Sequence, residues 1–460
     1  MSERFDLIVI GAGSAARDGA ARASRDYGAD VAMIERERWG GGCPNIACRP
    51  TKAYLVAAEQ VHDINAHAAT RGVLAGPAAI DLGQLKRWKN SLRRSQDSWV
   101  ELLAQRHTLV QAEAAFVDPR TVRIGERELT AERILVATGS RTAVPRVPGI
   151  DDVPWLDHVG ALELESVPPS LLVVGGGPVG LEFAQIFARF GSQVTIVNHG
   201  DQIAARADAE AASELQAALE AEGIGVVLGS GVDAFRRESD LTVATVAGRE
   251  LRVTDVLLAS GRTPNTEELA LDAAGVETER GFVVVDDHQR TTAEGVWAAG
   301  DVAIGPMFTP TAQYQARVAI DDMFGDGTRR ADYRALPTAI FTDPELAAVG
   351  LTEAEARAEG FDVDVVKHPL KAVTRAQYTA TQHGLYKVVF DRTTRRVLGV
   401  HVVCRGGSDI IGGLAVALKL SATVDDLALV HHIYPSLSEG VKAAAEQALS
   451  SPAPAVESLE

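Results

Sequence analysis

A chain of 460 residues, 46% apolar and 23% charged, has the make-up of an ordinary folded protein and the length of about three domains. Its formal charge of −17 argues against a nucleic-acid partner, because phosphate backbones are held by basic faces. Three cysteines cannot staple a secreted scaffold, and no apolar run reaches the roughly 18 residues of a membrane span, so no membrane partner and a reducing, cytoplasmic setting are expected.

The first stretch, MSERFDLIVIGAG, enters a strand almost at once and lacks the basic-then-apolar layout of a signal peptide. That strand, FDLIVI at 5–10, ends at Gly11 and leads through alanine-rich helical sequence to a second strand, DVAMIE at 30–35. Gly11, Gly13 and Ala16 have the spacing of a dinucleotide fingerprint. Gly11 permits the tight turn, Gly13 lets backbone approach a pyrophosphate, and Ala16 is small enough for close helix–strand packing. The helix N-terminus offers free N–H groups to phosphates, and Glu35 stands where a carboxylate accepts hydrogen bonds from a ribose. The plain alternative is a glycine turn with no ligand, which is common after strands.

Next comes GGGCPNIACRPTK, residues 40–52, with Cys43 and Cys48 five positions apart. On a regular helix that spacing separates the Cα atoms by about 8–9 Å. A disulfide needs about 4.4–6.8 Å, so the two can bond only where the chain leaves helical geometry. Pro44 and Asn45 favour such a departure. RPTKAYLVAAEQVHDI then reads as a helix with Cys48 at its mouth and Lys52 one turn in. Helix N-terminus and ammonium both favour thiolate, so Cys48 is expected to be acidic. The bland reading is two unrelated thiols packed as small hydrophobes, a poor match to so glycine- and proline-marked a loop.

After ATGSR at 137–141, a stretch rich in proline and glycine suits a crossover between domains. A second strand–turn–helix–strand unit follows: LLVV at 171–174, a turn with Gly175, Gly177 and Gly180, and SQVTIV at 192–197. Here Asn198 and His199 replace the ribose-binding acid. A carboxylate would repel a 2′-phosphate, so its loss favours NADPH over NADH, with Arg206 the nearest cation. The alternative is that Asn198 bonds an unphosphorylated ribose. Two such turns suggest one tightly held flavin dinucleotide and one exchangeable nicotinamide, and their order alone does not say which is which. From about 335 the pattern changes to strands GLYKVVF and VLGVHVV followed by a helix through GGLAVALKLSA, which fits a further domain. The tail at 451–460 is small, polar and proline-bearing, and is expected to be disordered.

The motif GGGCPNIACRPTK resembles GG-T-C-x-N-x-G-C-x-P-S/T-K of the class I pyridine nucleotide–disulfide oxidoreductases, the flavoprotein disulfide reductases. These include dihydrolipoamide dehydrogenase, glutathione reductase and mercuric reductase. The likeness continues through ATGSR, GGGPVGLE at 175–182, ASGRTPN at 259–265 and WAAGDV at 297–302. It implies an α/β fold class, with two Rossmann-like dinucleotide-binding domains plus a C-terminal α+β dimerisation domain. The boundaries expected are 1–148 with 264–334 for FAD, 149–263 for NAD(P), and 335–450 for dimerisation.

The resemblance places FAD at the first turn and NAD(P)H at the second. Gly41, Gly42, Thr138, Gly139, Asp301, Gly261 and Arg262 join the fingerprint residues as cofactor-binding candidates, with Asp301 on the flavin's ribityl or phosphate portion. It makes Cys48 the flavin-side, charge-transfer thiol and Cys43 the thiol that meets substrate. Lys52 then stands near the flavin with Glu182 as its ion-pair partner, which a buried lysine requires. Ala15 and Ala16 in place of glycines, and Gly42 in place of threonine, are mild departures.

A larger departure lies at HHIYPSLSEG, residues 431–440. The family carries H-x-H-P-S/T-x-x-E here and inserts it into the neighbouring subunit's site. Pro435, Ser436 and Glu439 align, but Tyr434 replaces the acid–base histidine. A phenol near pKa 10 is a poor base where an imidazole near 6.5 exchanges protons freely. His432 lies on the same side of an extended segment and is the alternative base, although packing or dimer contact also accounts for it and for His431. The tyrosine and the segment FTDPELAAVGLTEAEA resemble a mercuric-reductase-like branch, although that branch's vicinal C-terminal cysteines and N-terminal metal-binding domain are not expected here. Cys404, alone just after a predicted strand, reads as structural. No resident metal is expected.

The expectation is therefore a homodimeric FAD enzyme with an active site shared between subunits. It would pass electrons from NADPH or NADH through the cysteines to a small-molecule or ion acceptor, either a disulfide or a metal ion. Two rivals remain: direct transfer from flavin to a quinone or metal ion with the cysteines secondary, and a nicotinamide-binding flavoprotein sensor without turnover.

Overall fold

The computed structural model describes residues 3–379 and 381–449; the expected disordered tail lies outside them. The chain gathers into two compact units, and no helix among the described residues is long and apolar enough to cross a membrane.

The first unit takes residues up to 51, 86–143 and 261–332. Its centre is a five-stranded parallel sheet in the order Val296–Ala298, Ile134–Val136, Leu7–Ile10, Val31–Glu35, Thr108–Gln111. Leu7–Ile10 and Ile134–Val136 are buried at every position, as parallel strands covered on both faces require. The helices Ser14–Tyr27 and Thr309–Phe324 pack on this sheet through small residues. A side chain at Gly19 would lie 2.9 Å from Leu135 and 3.5 Å from Ala316, so both sheet and helix close onto bare backbone there.

The second unit takes 52–85, 144–260 and the described residues from 333 onward. It repeats the plan with a four-stranded parallel sheet, Gly225–Val227, Gln193–Val197, Ser170–Val174 and Asp255–Leu258. The helix Pro178–Arg189 follows its glycine turn, with proline at the first position where no intrahelical donor is needed. A five-stranded antiparallel sheet comes from the C-terminal third, in the order Thr338–Ile340, Glu345–Gly350, Val397–Cys404, Leu385–Asp391, Val363–Pro369. Cys404 is the last residue of its strand rather than the one after it. The following helix, Gly407–Lys419, runs through the expected GGLAVALK stretch; Gly406 turns the chain into it at φ 68° and the Ser408 N–H donates to Glu345 at 2.6 Å.

Candidate active site

The first glycine turn is shaped by what its residues cannot carry. Gly11 has φ 115°, and a Cβ there would lie 2.4 Å from the Ala137 carbonyl oxygen at the end of the neighbouring strand. Gly13 has open space around it. Gly41, at φ 73°, would put a Cβ 2.3 Å from the Gly13 Cα, so the cysteine loop lies directly on the turn. Asn45 fixes that loop by donating to the carbonyls of Trp39 (3.0 Å) and Gly41 (2.8 Å). At Gly42 the nearest atom to an added Cβ is 3.9 Å away, so the position usually held by threonine is not crowded.

The remaining first-turn candidates fall into local networks. Glu35 accepts the N–H groups of Glu37 and Arg38 at 2.8 and 3.1 Å, which fixes its carboxylate at the strand end. The Thr138 hydroxyl donates to the Asn265 carbonyl, and the Asn265 N–H donates to the carbonyl of Gly139. Gly261 turns the chain at φ 135° ahead of Arg262, whose guanidinium donates to Ser140; the Ser140 hydroxyl donates to Asp301 at 3.0 Å. The helices starting at Ser14 and Thr309 converge at Gly300, where a Cβ would meet Ala15 and Ala312 at 3.4 and 3.3 Å. Thr311, fully buried near the second helix start, has a hydroxyl without a partner. Open backbone at Gly13, two convergent helix N-termini and an unsatisfied buried hydroxyl fit a dinucleotide phosphate and its flavin.

Between the cysteines the chain does leave helical geometry. A short helix, Gly42–Asn45, breaks at Ile46 (φ −138°, ψ −2°), and the long helix Cys48–His62 starts two residues later. Cys43 is half-buried; Cys48 is exposed, with Sγ 3.6 Å from the Thr309 hydroxyl. Further along the same helix, Lys52 Nζ donates to both oxygens of Glu182 at 2.9 and 2.8 Å and lies 4.2 Å from the Phe341 ring centroid.

A strap that sequence reasoning missed holds this pair. The Phe341 N–H donates to Glu182 at 3.1 Å, and Gln185 exchanges hydrogen bonds with the Asp343 backbone, both 2.7 Å. Arg189 closes on Asp343 and Glu222 at 3.1 and 2.7 Å. Burial pushes the Asp343 carboxyl upward, but Arg405 and Arg189 more than offset it and leave the group below its ordinary value. The available signal was Glu182, Gln185 and Arg189 at one-turn spacing on a helix face.

The second glycine turn repeats the first. Gly175 has φ 118° and would put a Cβ 2.3 Å from the Ala259 carbonyl oxygen, while Gly180 would meet Gly175 at 2.0 Å and Gly177 is open. Asn198, buried, accepts the Gly176 N–H at 3.1 Å and donates to the Gln202 carbonyl at 2.8 Å, so its amide closes the turn itself. His199 and Arg206 are exposed.

In the C-terminal segment Tyr434 is 70% exposed. His432 Nδ1 lies 3.0 Å from the Ser438 hydroxyl, which pairs with Ser436 at 2.9 Å; the Ser436 N–H donates to Glu439 at 2.9 Å. Burial and the Lys442 ammonium push the His432 imidazole below its ordinary value, with Glu439 opposing. Cys404 is buried, and burial pushes its thiol up to about 12. No group of three or more metal-ligating side chains forms among the described residues.

Two glycine turns for dinucleotides and a cysteine loop seated on the first define a flavoprotein disulfide oxidoreductase, an FAD enzyme that works with a pyridine nucleotide. Family comparison agrees: residues 5–316 match the pyridine nucleotide–disulphide oxidoreductase model and 336–445 its dimerisation domain. The chain belongs to this family. It is 36% identical over 451 residues to a mercuric reductase of Lysinibacillus sphaericus, covering 96% of this chain and 82% of that one. It is 37% identical over 462 residues to a dihydrolipoyl dehydrogenase of Haloferax volcanii, covering 96% of each. The HOCl-induced flavoprotein disulfide reductase RclA of Escherichia coli, solved as a Cu(II) complex, superposes with a TM-score of 0.86 at 30% identity, covering 97% of this chain and 100% of RclA.

Proposed function

We propose that this enzyme takes electrons from NADPH and delivers them by way of Cys48 and Cys43 to a sulfur-seeking acceptor, foremost a soft metal ion. FAD supplies the two-electron relay between a hydride donor and the cysteine pair. Gly11, Gly13, Ala16, Gly41, Gly42, Thr138, Gly139 and Glu35 would hold it, with Asp301 fixed by Ser140 and Arg262 beyond Gly261. Gly175, Gly177, Gly180 and His199 would hold the nicotinamide nucleotide on a turn that Asn198 closes, and the missing carboxylate at 198 supports the phosphorylated form. Lys52, steadied by Glu182 and Phe341, places an ammonium one turn along the helix from Cys48, where it favours thiolate. Tyr434, His432 and Glu439 would act in the partner subunit's site of a homodimer, a reading supported by the matched dimerisation domain.

The observation that carries the acceptor class is Tyr434. Reducing a disulfide expels two thiolates: Cys43 attacks one sulfur, Cys48 then attacks Cys43, and each leaving thiolate must be protonated. A phenol is a poor acid–base group for that task, and His432 is tied to Ser438, with burial and the Lys442 ammonium holding its imidazole below its ordinary pKa. A soft divalent ion needs no such group. Two thiolates ligate it, one NADPH gives up a hydride, the ion takes both electrons to become the metal, and a proton is released. The names mercuric reductase and Cu(II) complex among the relatives support the same class.

Steady-state assays with NADPH and NADH against mercuric and cupric ions, oxidised glutathione, lipoamide and a quinone test the proposal. Expected are faster turnover with metal ions than with either disulfide and a loss of about a hundredfold in Cys43→Ser and Cys48→Ser. Disulfides outranking metal ions would overturn the acceptor class, and full activity in the cysteine variants would overturn the relay.

A further inference from the structure

The loop 198–208, which follows the second strand of the nucleotide sheet, exposes His199 and Arg206 and is pinned at its start, middle and end. At the start, Asn198 accepts the Gly176 N–H at 3.1 Å. In the middle, Ile203 is fully buried and the Ala204 N–H donates to the Gly176 carbonyl at 2.7 Å. At the end, Asp208 caps the helix Ala209–Ala221 by accepting the Glu210 N–H at 3.1 Å, and its other oxygen lies 2.9 Å from Lys387 Nζ.

The Lys387 side chain is only 2% exposed, and its Nζ also reaches Glu210 at 2.7 Å and Glu353 at 2.9 Å. It stands in the strand Leu385–Asp391, opposite Lys367 on one neighbouring strand and His401 on the other, so a paired sheet fixes its place. Burial pulls the ammonium down, but Glu210, Glu353 and Asp208 more than offset it and leave it above its ordinary value. An ammonium so enclosed is costly to move, because any shift uncovers a charge in a low-dielectric setting. Arg206, two residues before Asp208, is exposed, and its guanidinium has no hydrogen-bond or ion-pair partner among the described residues.

We propose that Lys387 is a positioning residue for the phosphorylated nicotinamide nucleotide: by fixing Asp208 it holds the loop so that Arg206 meets the 2′-phosphate. This rests on the reading of the second glycine turn as an NADPH site. A loop end set free would spread the guanidinium over many positions, and a charge-assisted contact depends on placement. NADH carries no such phosphate, so the staple bears on discrimination between the two coenzymes and not on hydride transfer.

Isothermal titration of the FAD-loaded full chain with NADP+ and with NAD+ tests this without an acceptor or turnover. Lys387→Met is expected to weaken NADP+ about tenfold and to leave NAD+ within about twofold. That variant leaves Asp208 a buried carboxylate without its cation, so a second one combines Asp208→Asn with Glu210→Gln. It keeps both volumes and the helix cap, leaves Lys387 the Glu353 carboxylate, and is expected to show the same loss. Arg206→Ala should weaken NADP+ as well, and Lys387→Met should add nothing in that background. Equal weakening of both nucleotides, unaltered NADP+ affinity in the folded variants, or losses that add to that of Arg206→Ala would overturn the proposal. Unaltered NADP+ affinity in Arg206→Ala would overturn the coenzyme reading beneath it and the proposal together, so the two failures are told apart.

Discussion

Lys52 meets Glu182 across 130 positions of sequence, and the pair is asymmetric: the lysine side chain is 35% exposed, the glutamate 7%. Glu182→Gln keeps the volume and an acceptor for the Phe341 N–H but removes the counter-charge. The folded state should lose only about 1 kcal/mol, because solvent screens the lysine end. Turnover should fall at least about tenfold, since an ammonium no longer anchored is no longer placed. Melting temperature and kcat measured side by side check this, and an unaltered kcat would remove Lys52 from the working site. Tyr434→His should act in the other direction. Restoring an imidazole should raise turnover with oxidised glutathione or lipoamide by tenfold or more, the lower part of the usual range for general acid–base catalysis. The cysteine loop and the tyrosine were legible beforehand because each is a contiguous motif. Lys387 and Phe341 were not, because each acquires meaning only from a residue far away in sequence.

The strand Val397–Cys404 carries His401, almost fully buried, with Nε2 3.1 Å from the Leu351 carbonyl oxygen and Nδ1 unpaired. Burial lowers its pKa, with Asp208 chief among the opposing influences. The unfolded chain therefore binds this proton more tightly than the folded one. Stability from neutral His401 is present above the ordinary histidine value and is lost as pH falls from there through the lowered folded value. Melting temperature should drop between pH 7 and 5, and His401→Leu should flatten the slope even if it shifts the whole curve; an identical slope would exclude this histidine. The strand was evident from its apolar run, but not this histidine's burial, which depends on the strands paired with it. The helix that follows runs through the apolar stretch GGLAVALK as expected, and its start is fixed by Gly406 and Glu345.

At the scale of the whole molecule, Val416, Leu420, Leu429, Val430, Ile433 and Tyr434 are each at least half exposed, concentrated within and beside the last helices of the matched dimerisation domain. Covering one such aliphatic side chain contributes about 2 kcal/mol, so several together favour a stable homodimer. Ile433→Asp should shift sedimentation from dimer to monomer and reduce turnover at least tenfold while the FAD absorbance stays. An active monomer would refute the shared site.

What the sequence determined by itself was local: two glycine turns after apolar strands, a carboxylate at the end of one, a broken helix between two cysteines five positions apart, and a phenol in place of an imidazole. Backbone sterics and spacing within a few residues set these features, and they survive in any tertiary setting that keeps the chain continuous. Only the tertiary structure decided that Gly41 rests on Gly13, that Lys387 pairs with Asp208, and that Asn198 closes its own turn. Those contacts arise where separate elements pack, and no propensity or period in a single segment records its partner.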